Sequence, residues 1–495
     1  MELRQLIEPL LTAKVIGNLD VEINGLEVDS RKVTLGRLFI CLPGFTVDGH
    51  DFAPKAVENG AVALLCEREL PLAVPQVIVK DVRFAMAFLA DRYFGHPSQR
   101  MKMIGVTGTN GKTTTTHLID KILTDCGHTT GLIGTIKMKI GNEVFDVKNT
   151  TPDALDLQKS LAKMVEAGVE YTSMEVSSHA LDMGRVRGVR YHIGVFTNLT
   201  QDHLDYHHTM EEYRNAKGLL FSQLGNVYYD QTIKNQFAVL NVDDQANEYY
   251  QRITAAQVIT YGIDRAADVR ATDIQITAQG TRFKVETCNG TARLHLKLVG
   301  KFNVYNVLAA MTVGLIEGIS LDQMKKSLED VQGVDGRFEP IVEGQDFAVL
   351  VDYAHTPDSL ENVLKTVKEF AQGKIYCVFG AGGDRDKTKR PLMGQIAVEY
   401  SDMAVVTSDN PRTEDPNLIV EDILEGIRAV HADPASYIAF IDRKEAIEFA
   451  IHQAQPRDVV IIAGKGHETY QILHDEVIHF DDREIAREAI RGKRQ

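Results

Sequence analysis

A chain of 495 residues, 44% hydrophobic and 25% charged, is too long for one core and has ordinary globular composition, so two to four domains are expected. Its formal net charge of −15 opposes non-specific nucleic-acid binding, and no basic cluster interleaved with aromatics counters it, so anionic substrates would need local basic residues. Five cysteines (Cys41, Cys66, Cys126, Cys288, Cys377) stand far apart, odd in number and without CxxC pairing, which argues against a disulfide framework or structural zinc and for reduced thiols in the cytosol. The segment MELRQLIEPL is not export-like, and no run approaches the roughly 18 apolar residues of a membrane span; a cytoplasmic protein without membrane insertion is expected.

No repeat or low-complexity segment is present; apolar β-rich runs alternate with helix-like segments, which predicts an α/β architecture with parallel sheets. The first block closes at GHPSQR (95–100), so a boundary is placed near residue 98. A second block, 99–335, opens with the apolar run Met103 to Val106 and a Gly-rich turn, continues through IGVFTNLT (193–200) and FAVLNVDD (237–244), and ends in VQGVDGRFEP (331–340). The third, 336–495, repeats one design. FAVLVDYAH (347–355), KIYCVFGAGGDRD (374–386), MAVVTSDNPR (403–412) and DVVIIAGKGHE (458–468) are each an apolar strand running straight into polar, Gly-rich residues. Open α/β sheets bind ligands beyond the carboxyl ends of their strands, so these four ends should converge on one crevice.

The stretch from Met103 to Thr114 reads as strand, tight turn and helix, with Leu118, Ile119, Ile122 and Leu123 forming the apolar face of the helix. Backbone N–H groups of such a turn, at a helix N-terminus, cradle phosphates; Lys112 would reach the β/γ-phosphates and the Thr113 hydroxyl would help hold Mg²⁺. Val106 stands where the general GxxxxGK[ST] pattern has its first glycine, making this a variant loop, and an ordinary glycine turn is the competing reading.

That variant, GTNGKTT (108–114), resembles the phosphate loop of the Mur ligases and of folylpolyglutamate synthases. NTTPD (149–153), EVSSHALDMGRV (175–186), NLTQDHLDYH (198–207), YRNAKGLLF (213–221), GKFNVYNVLAA (300–310), DGRFE (335–339) and DYAHTPDSL (352–360) extend the resemblance to the Mur ligases over essentially the whole chain, with the third amino-acid-adding members most similar. The resemblance implies a UDP-sugar-binding N-terminal domain (1–98), a central P-loop ATPase domain (99–335) and a Rossmann-like C-terminal domain (336–495). It also implies ATP-dependent ligation of meso-diaminopimelate to UDP-N-acetylmuramoyl-L-alanyl-D-glutamate during peptidoglycan precursor synthesis, through an acyl phosphate, giving the tripeptide, ADP and phosphate. Because the reacting oxygens are anionic, catalysis should rest on positioning, Mg²⁺ and cationic clamps, with no covalent enzyme intermediate.

Carried over residue by residue, the resemblance implies nucleotide contacts at Gly108, Thr109, Asn110, Gly111, Lys112, Thr113 and Thr114, at Asn303 and Asn306, at Arg337 on the phosphates, at Asp352 on the ribose, and at His355. Thr113, Glu175 and His203 would place Mg²⁺, and Lys217 would be carbamylated by CO₂ into an anion that binds it; alone, Lys217 reads as a helical surface lysine. Phe302 stands where related ligases commonly carry histidine, and Met183 where some carry glutamine. Ser30, with the segment GFTVDGHDFAPKA (44–56), would hold the UDP-sugar, and Thr150, Thr151, Ser177 and Arg185 the muramoyl dipeptide. Asp409, Asn410, Pro411 and Arg412 match the DNPR motif of the diaminopimelate-adding members, with Arg385, Gly464 and Glu468 completing the pattern. Diaminopimelate differs from lysine by a distal carboxylate, which a planar guanidinium binds bidentately. A lysine-adding relative, a folylpolyglutamate synthase-like ligase and a P-loop ATPase switch are the alternatives; a monomer is expected.

Overall fold

The computed structural model describes residues 1–44, 47–147, 149–226, 235–277 and 280–493. Among the described residues three large sheets follow one another along the chain, and a separate two-stranded antiparallel sheet pairs Tyr470–Leu473 with Glu476–His479. In the first, the spatial order is Lys14–Ile16, Gln76–Ile78, Ala61–Cys66, Arg37–Ile40, Gly25–Glu27, parallel throughout except for the antiparallel edge strand Lys14–Ile16.

The second sheet has eleven strands. Its centre is parallel, in the order Gln257–Gly262, Phe237–Asn241, Tyr191–Phe196, Lys102–Thr107, Tyr171–Glu175, Thr130–Ile133. Both edges depart from the expected parallel arrangement. Val269–Thr277, Gly280–Thr287 and Gly290–Leu296 form an antiparallel meander at one edge, and Met138–Ile140 with Glu143–Phe145 a hairpin at the other. The cause is connection length: parallel neighbours need a crossover of a dozen or more residues, and the successive antiparallel strands here are separated by only two to four residues.

The third sheet runs Glu339–Pro340, Ala348–Asp352, Val459–Ala463, Ile375–Phe379, Met403–Val406, Tyr437–Ala439, with only the first pair antiparallel. Ile375–Phe379 and Val459–Ala463 are buried at every residue, as expected of strands covered by helices on both faces, and this is why their sequences read as unbroken apolar runs. Helices Pro357–Phe370, Lys389–Tyr400 and Pro416–Ala429 supply Leu360, Leu364, Met393 and Ile423 to one face; Arg443–Gln453 and Asp482–Lys493 supply Ile447, Ile451 and Ile490 to the other. Each such side chain, fully buried, contributes about 1.5–3 kcal/mol. Among the described residues no helix is long and apolar enough to cross a membrane.

Candidate active site

The Gly-rich turn connects the buried strand Lys102–Thr107 to the helix Lys112–Asp125, whose apolar face buries Leu118, Ile119, Ile122 and Leu123. Gly111 has φ +83, and a Cβ there would lie 2.4 Å from Asn306 Oδ1, so the turn closes only with glycine. Thr109 and Asn110 donate their backbone N–H groups to Asn198, at 2.8 Å to its carbonyl and 2.9 Å to Oδ1 respectively. The Lys112 ammonium folds back onto the turn, donating to the carbonyls of Gly108 (2.9 Å) and Thr109 (2.7 Å). Burial lowers its pKa.

Glu175 ends the central strand Tyr171–Glu175 fully buried. Its carboxylate accepts from the hydroxyls of Thr113 and Thr135, both at 3.0 Å, and from the Thr135 N–H at 2.8 Å. Arg337 reaches the same point from the far side of the molecule's sequence, its Nη2 donating to Thr113 Oγ1 at 3.2 Å, while its buried Nε has no partner among the described residues. Its guanidinium lies 4.5 Å from the Tyr353 ring centroid. Thr114 is buried in the first helical turn.

Lys217, only 1% exposed, is far from the surface lysine that its helical setting suggests. Its ammonium donates to Gly108 O at 2.8 Å and sits 4.2 Å over the Tyr213 ring, without an ion-pair partner among the described residues. Burial, then the charge of Lys112, holds its pKa well below the ordinary value. His203, in a left-handed conformation at φ +54, faces Asp202 (3.3 Å) and packs edge-on against His179; burial lowers its pKa too.

Asn303 and Asn306 share one face of the helix Lys301–Ile316. Asn303 donates to Val299 O (2.9 Å), Asn306 to Asn303 Oδ1 (3.2 Å), and Asn306 Oδ1 accepts from Thr115 (3.3 Å), so this face docks on the phosphate-type turn. Phe302 lies edge-on to Phe338 at 5.5 Å, an apolar contact between this helix and the segment carrying Arg337. Asp352 is buried at the end of its strand, accepting from Phe338 N at 2.7 Å; burial pushes its carboxyl up to about 6. The His355 carbonyl accepts from Lys389, and its ring Nδ1 pairs with Tyr353 O at 2.8 Å.

The four strand ends of the third sheet do converge. A cavity of about 1080 Å³ is lined by Tyr353 and His355, by Gly380, Gly382, Asp384 and Arg385, by Asp409, Asn410 and Arg412, and by Gly464 and Glu468, and it is completed from the second sheet's side by His179, Asp202 and His203. Within it, Asn410 donates to Glu468 (2.9 Å), and the fully buried Lys465 donates to both Asn410 Oδ1 (3.2 Å) and Glu468 (3.1 Å). Burial raises the pKa of Glu468. Arg412, at φ +53, donates through Nη1 to Gly383 O at 2.8 Å. Gly464 has φ +118, and a Cβ there would approach Asp409 Oδ2 to 2.7 Å. Pro411 is buried between these contacts, and Arg385 is exposed at the rim, bonded to Asp384 O.

Thr150 and Thr151 stand beside Glu175: the Thr150 hydroxyl donates to Thr135 Oγ1 (3.1 Å), whose own proton goes to Glu175, and Thr151 donates to Glu175 O (2.8 Å) while accepting from Ser177 N (3.2 Å). Arg185 donates to Thr151 O and pairs with Asp153 at 3.0 Å, its Nη2 also 3.6 Å from Met183 Sδ. Ser177 caps the short helix Ser178–Asp182. Ser30 is buried at the start of a 3₁₀ turn in the first sheet's unit and does not line the cavity. Of the segment 44–56, Phe45 and Thr46 lie outside the described residues.

Residue-by-residue reading missed several members. Asp358 ties the two halves together, accepting from Asn110 (2.8 Å) and Thr200 (2.8 Å). Asn198 and Asp202 lay inside NLTQDHLDYH, so a signal existed; Lys465 and Asp358 lay inside motifs too. Arg390 and Arg443, both fully buried, had none, because a lone arginine on a helix reads as solvated. Arg443 pairs with the buried Asp482 (2.7 Å) and donates to the carbonyls of Ala463 (2.9 Å) and Ser408 (3.4 Å), the residues just before Gly464 and Asp409.

Residues 22–93 match the model of the Mur ligase family catalytic domain, 106–314 the Mur ligase middle domain, and 336–466 the Mur ligase glutamate ligase domain. The chain is 55% identical over 493 residues to the UDP-N-acetylmuramoyl-L-alanyl-D-glutamate--2,6-diaminopimelate ligase of Bacillus cereus, covering 100% of this chain and 99% of that one. It is 57% identical over 478 residues to the enzyme of the same description from Geobacillus thermodenitrificans, covering 97% and 96%. A solved structure of a UDP-N-acetylmuramoyl-L-alanyl-D-glutamate--2,6-diaminopimelate ligase superposes with a TM-score of 0.70 at 34% identity over 100% of this chain and 99% of that chain. A folylpolyglutamate synthase of Mycobacterium tuberculosis, at 17% identity and a TM-score of 0.62 over 77% of this chain and 92% of that one, shares the fold alone. With three α/β units in this order and relatives alike from end to end, the chain belongs to the Mur ligase family.

Proposed function

We propose that this Mur ligase joins meso-diaminopimelate to UDP-N-acetylmuramoyl-L-alanyl-D-glutamate at the expense of ATP, in peptidoglycan precursor synthesis. The observation that carries the reading is the cavity where Arg385, Asp409, Asn410, Arg412, Gly464 and Glu468 meet across from His203. An amino acid with charged groups at both ends needs both signs in its pocket, and the crevice supplies them, with Arg385 and Arg412 among its cations and Asp409 and Glu468 among its carboxylates. Lysine lacks the distal carboxylate and would leave the guanidinium fork of Arg412 unpaired, the strongest form of discrimination available to a binding site.

The chemistry follows from what surrounds the turn 108–114. The backbone N–H groups of residues 111–114 at the helix start, and Lys112, hold the ATP phosphates, Arg337 adds its free Nε beside Thr113, Asn303 and Asn306 flank the nucleotide, and the carboxylate of Asp352 takes the ribose hydroxyls with His355 nearby. Thr150, Thr151, Ser177 and Arg185 hold the dipeptide so that its terminal carboxylate attacks the γ-phosphorus of ATP, the bridging P–O bond breaks and ADP leaves with that bonding pair; Ser30 and its neighbours hold the uridine end. The amine of diaminopimelate then attacks the acyl phosphate, and inorganic phosphate leaves with the C–O bonding pair.

The touching hydroxyl of Thr113 and carboxylate of Glu175 form an all-oxygen pair beside the turn, a donor set suited to Mg²⁺ with phosphate oxygens completing it. That ion would neutralise charge on the transferring phosphoryl group. His203, which the family resemblance assigns to the same ion, lines the neighbouring cavity beside Asp202. Lys217 fits carbamylation: its lowered pKa supplies the neutral amine, whose nitrogen forms the N–C bond to CO₂ and releases a proton, leaving an anion in place of a cation next to the turn. Cuts at residues 98 and 335 and a monomeric, cytoplasmic enzyme complete the reading.

Phosphate release with ATP, Mg²⁺ and UDP-N-acetylmuramoyl-L-alanyl-D-glutamate, compared across meso-diaminopimelate, L-lysine and no amino acid with product mass as readout, tests it. Turnover with diaminopimelate far exceeding a residual rate with lysine, and none without an amino acid, is expected. A preference for lysine would overturn the assignment of Arg412, and ATP turnover without either amino acid would favour a switch ATPase.

A further inference from the structure

The loops 380–386 and 409–414 carry the two guanidiniums assigned to diaminopimelate, and they are zipped together by contacts that no ligand makes. Gly383 donates its N–H to Asn410 O (2.9 Å) and accepts from Arg412 Nη1 (2.8 Å). The Asp384 carboxylate accepts from Thr413 N (3.2 Å) and Thr413 Oγ1 (2.7 Å). At the root of the zipper stands Glu414. Its Oε1 accepts from Asp384 N (2.6 Å) and Arg390 Nη2 (2.9 Å), and its Oε2 from Arg390 Nη1 (3.1 Å) and Lys387 Nζ (2.9 Å). Four donors on two oxygens fill the acceptor capacity of a carboxylate, so Glu414 has none left for a ligand although it borders the cavity.

Arg390 reaches this point from the helix Lys389–Tyr400 with no exposed surface. Besides Glu414 it donates to Gly382 O (3.3 Å) and Asp422 (2.8 Å). A buried ion pair is weak as a source of stability, since desolvation offsets the attraction, and is better suited to fixing one arrangement among several. Here the arrangement needs fixing: Arg412 and Asp384 both sit in the left-handed region, at φ +53 and +54, where side-chain-bearing residues stay only if their surroundings hold them.

We infer that the Arg390–Glu414 pair is a positioning device: it sets the separation of the loops bearing Arg385 and Arg412, and thereby the preference for an amino acid with a distal carboxylate. This rests on the reading of the cavity as the diaminopimelate site. Lysine, with no distal carboxylate, should be indifferent to the spacing.

The test is steady-state kinetics of the full chain with Glu414→Gln, which keeps shape and one acceptor but removes the charge that holds Arg390 and Lys387. Asp422→Asn is the control, because Asp422 pairs with the same arginine from the helix Pro416–Ala429 without touching either loop. Expected for Glu414→Gln is a KM for diaminopimelate raised about tenfold, with KM for ATP and UDP-sugar and the residual turnover of lysine within about twofold of wild type; Asp422→Asn should match wild type. An unchanged KM for diaminopimelate, equal rises for all three substrates, or an equal effect of Asp422→Asn would overturn the inference. Should Glu414→Gln fail to fold, Arg390→Lys, which keeps the charge and loses the fork, must raise the same single KM, and wild-type values there overturn it. Wild-type enzyme in parallel separates the two levels: no turnover of diaminopimelate removes the functional reading, whereas normal wild-type turnover with an indifferent Glu414→Gln removes only this inference.

Discussion

Replacing Arg412 by alanine isolates the contribution of one guanidinium to substrate choice. Both residues carry a Cβ, so the strain of φ +53 is common to them and cancels. The protein itself loses one hydrogen bond, Nη1 to Gly383 O at 2.8 Å, which is worth about 1 kcal/mol in stability. Bound diaminopimelate loses more. A charge-assisted hydrogen bond contributes about 1.5–3 kcal/mol, and removing one partner of a desolvated charge pair costs about 2–5 kcal/mol. Because Nη1 is partly committed to Gly383, a loss near the middle of that range, about 3 kcal/mol, is expected, or roughly two decades of kcat/KM at about 1.36 kcal/mol per decade. The assay is phosphate release at saturating ATP and UDP-sugar with diaminopimelate or lysine varied. The lysine value should move by less than about threefold, so the ratio of the two collapses. A parallel loss for both amino acids, or an equal rise in KM for ATP, would refute the argument that Arg412 reads the distal carboxylate.

Two further perturbations probe the nucleotide side. Gly111→Ala places a methyl 2.4 Å from Asn306 Oδ1 at φ +83, so the turn must open; thermal denaturation should show a loss of at least about 1–2 kcal/mol, and the KM for ATP should rise about tenfold or more. Asp352, whose carboxyl burial pushes up to about 6, is protonated below that pH and then accepts fewer hydrogen bonds, so ATP affinity measured by titration should weaken as pH falls through about 6 and level off above it. Asp352→Asn should flatten this dependence, and a pH-dependence surviving that substitution would assign it elsewhere.

The motifs made the parallel cores and the strand-end crevice legible because buried parallel strands such as Ile375–Phe379 and Val459–Ala463 are near-continuous apolar runs and their polar extensions stand out against them. The antiparallel edges were not legible from the same runs: Val269–Thr277 alternates buried with part-buried residues over its first four positions and exposed with part-buried ones after that, a pattern that fits an edge strand of either direction. Lys217 illustrates a second limit. Its helix shows the ordinary amphipathic mixture, and only the tertiary approach of Gly108 O and the Tyr213 ring makes its ammonium a buried one. For Arg390 and Arg443 the deciding contacts lie 24–39 residues away, at Glu414 and Asp482, beyond what any local pattern reports.

Those two arginines also explain how loops can hold a specific site. A strand end leaves its backbone pointing at solvent, and loops carrying functional side chains are the most variable part of such a fold. In this sheet two pairs of ligand-bearing loops are each braced from behind by one buried guanidinium. Arg390 ties 382–384 to Glu414, and Arg443 ties Ser408 to Ala463 with Asp482 as counter-charge. The global charge of −15 repels the anionic substrates, so binding depends on cations placed to better than an ångström, and placement of that kind requires supports whose own geometry is fixed. A planar guanidinium with several donors in fixed directions can bond two loops and a carboxylate together, which a lysine with one rotating ammonium cannot do with the same geometric constraint.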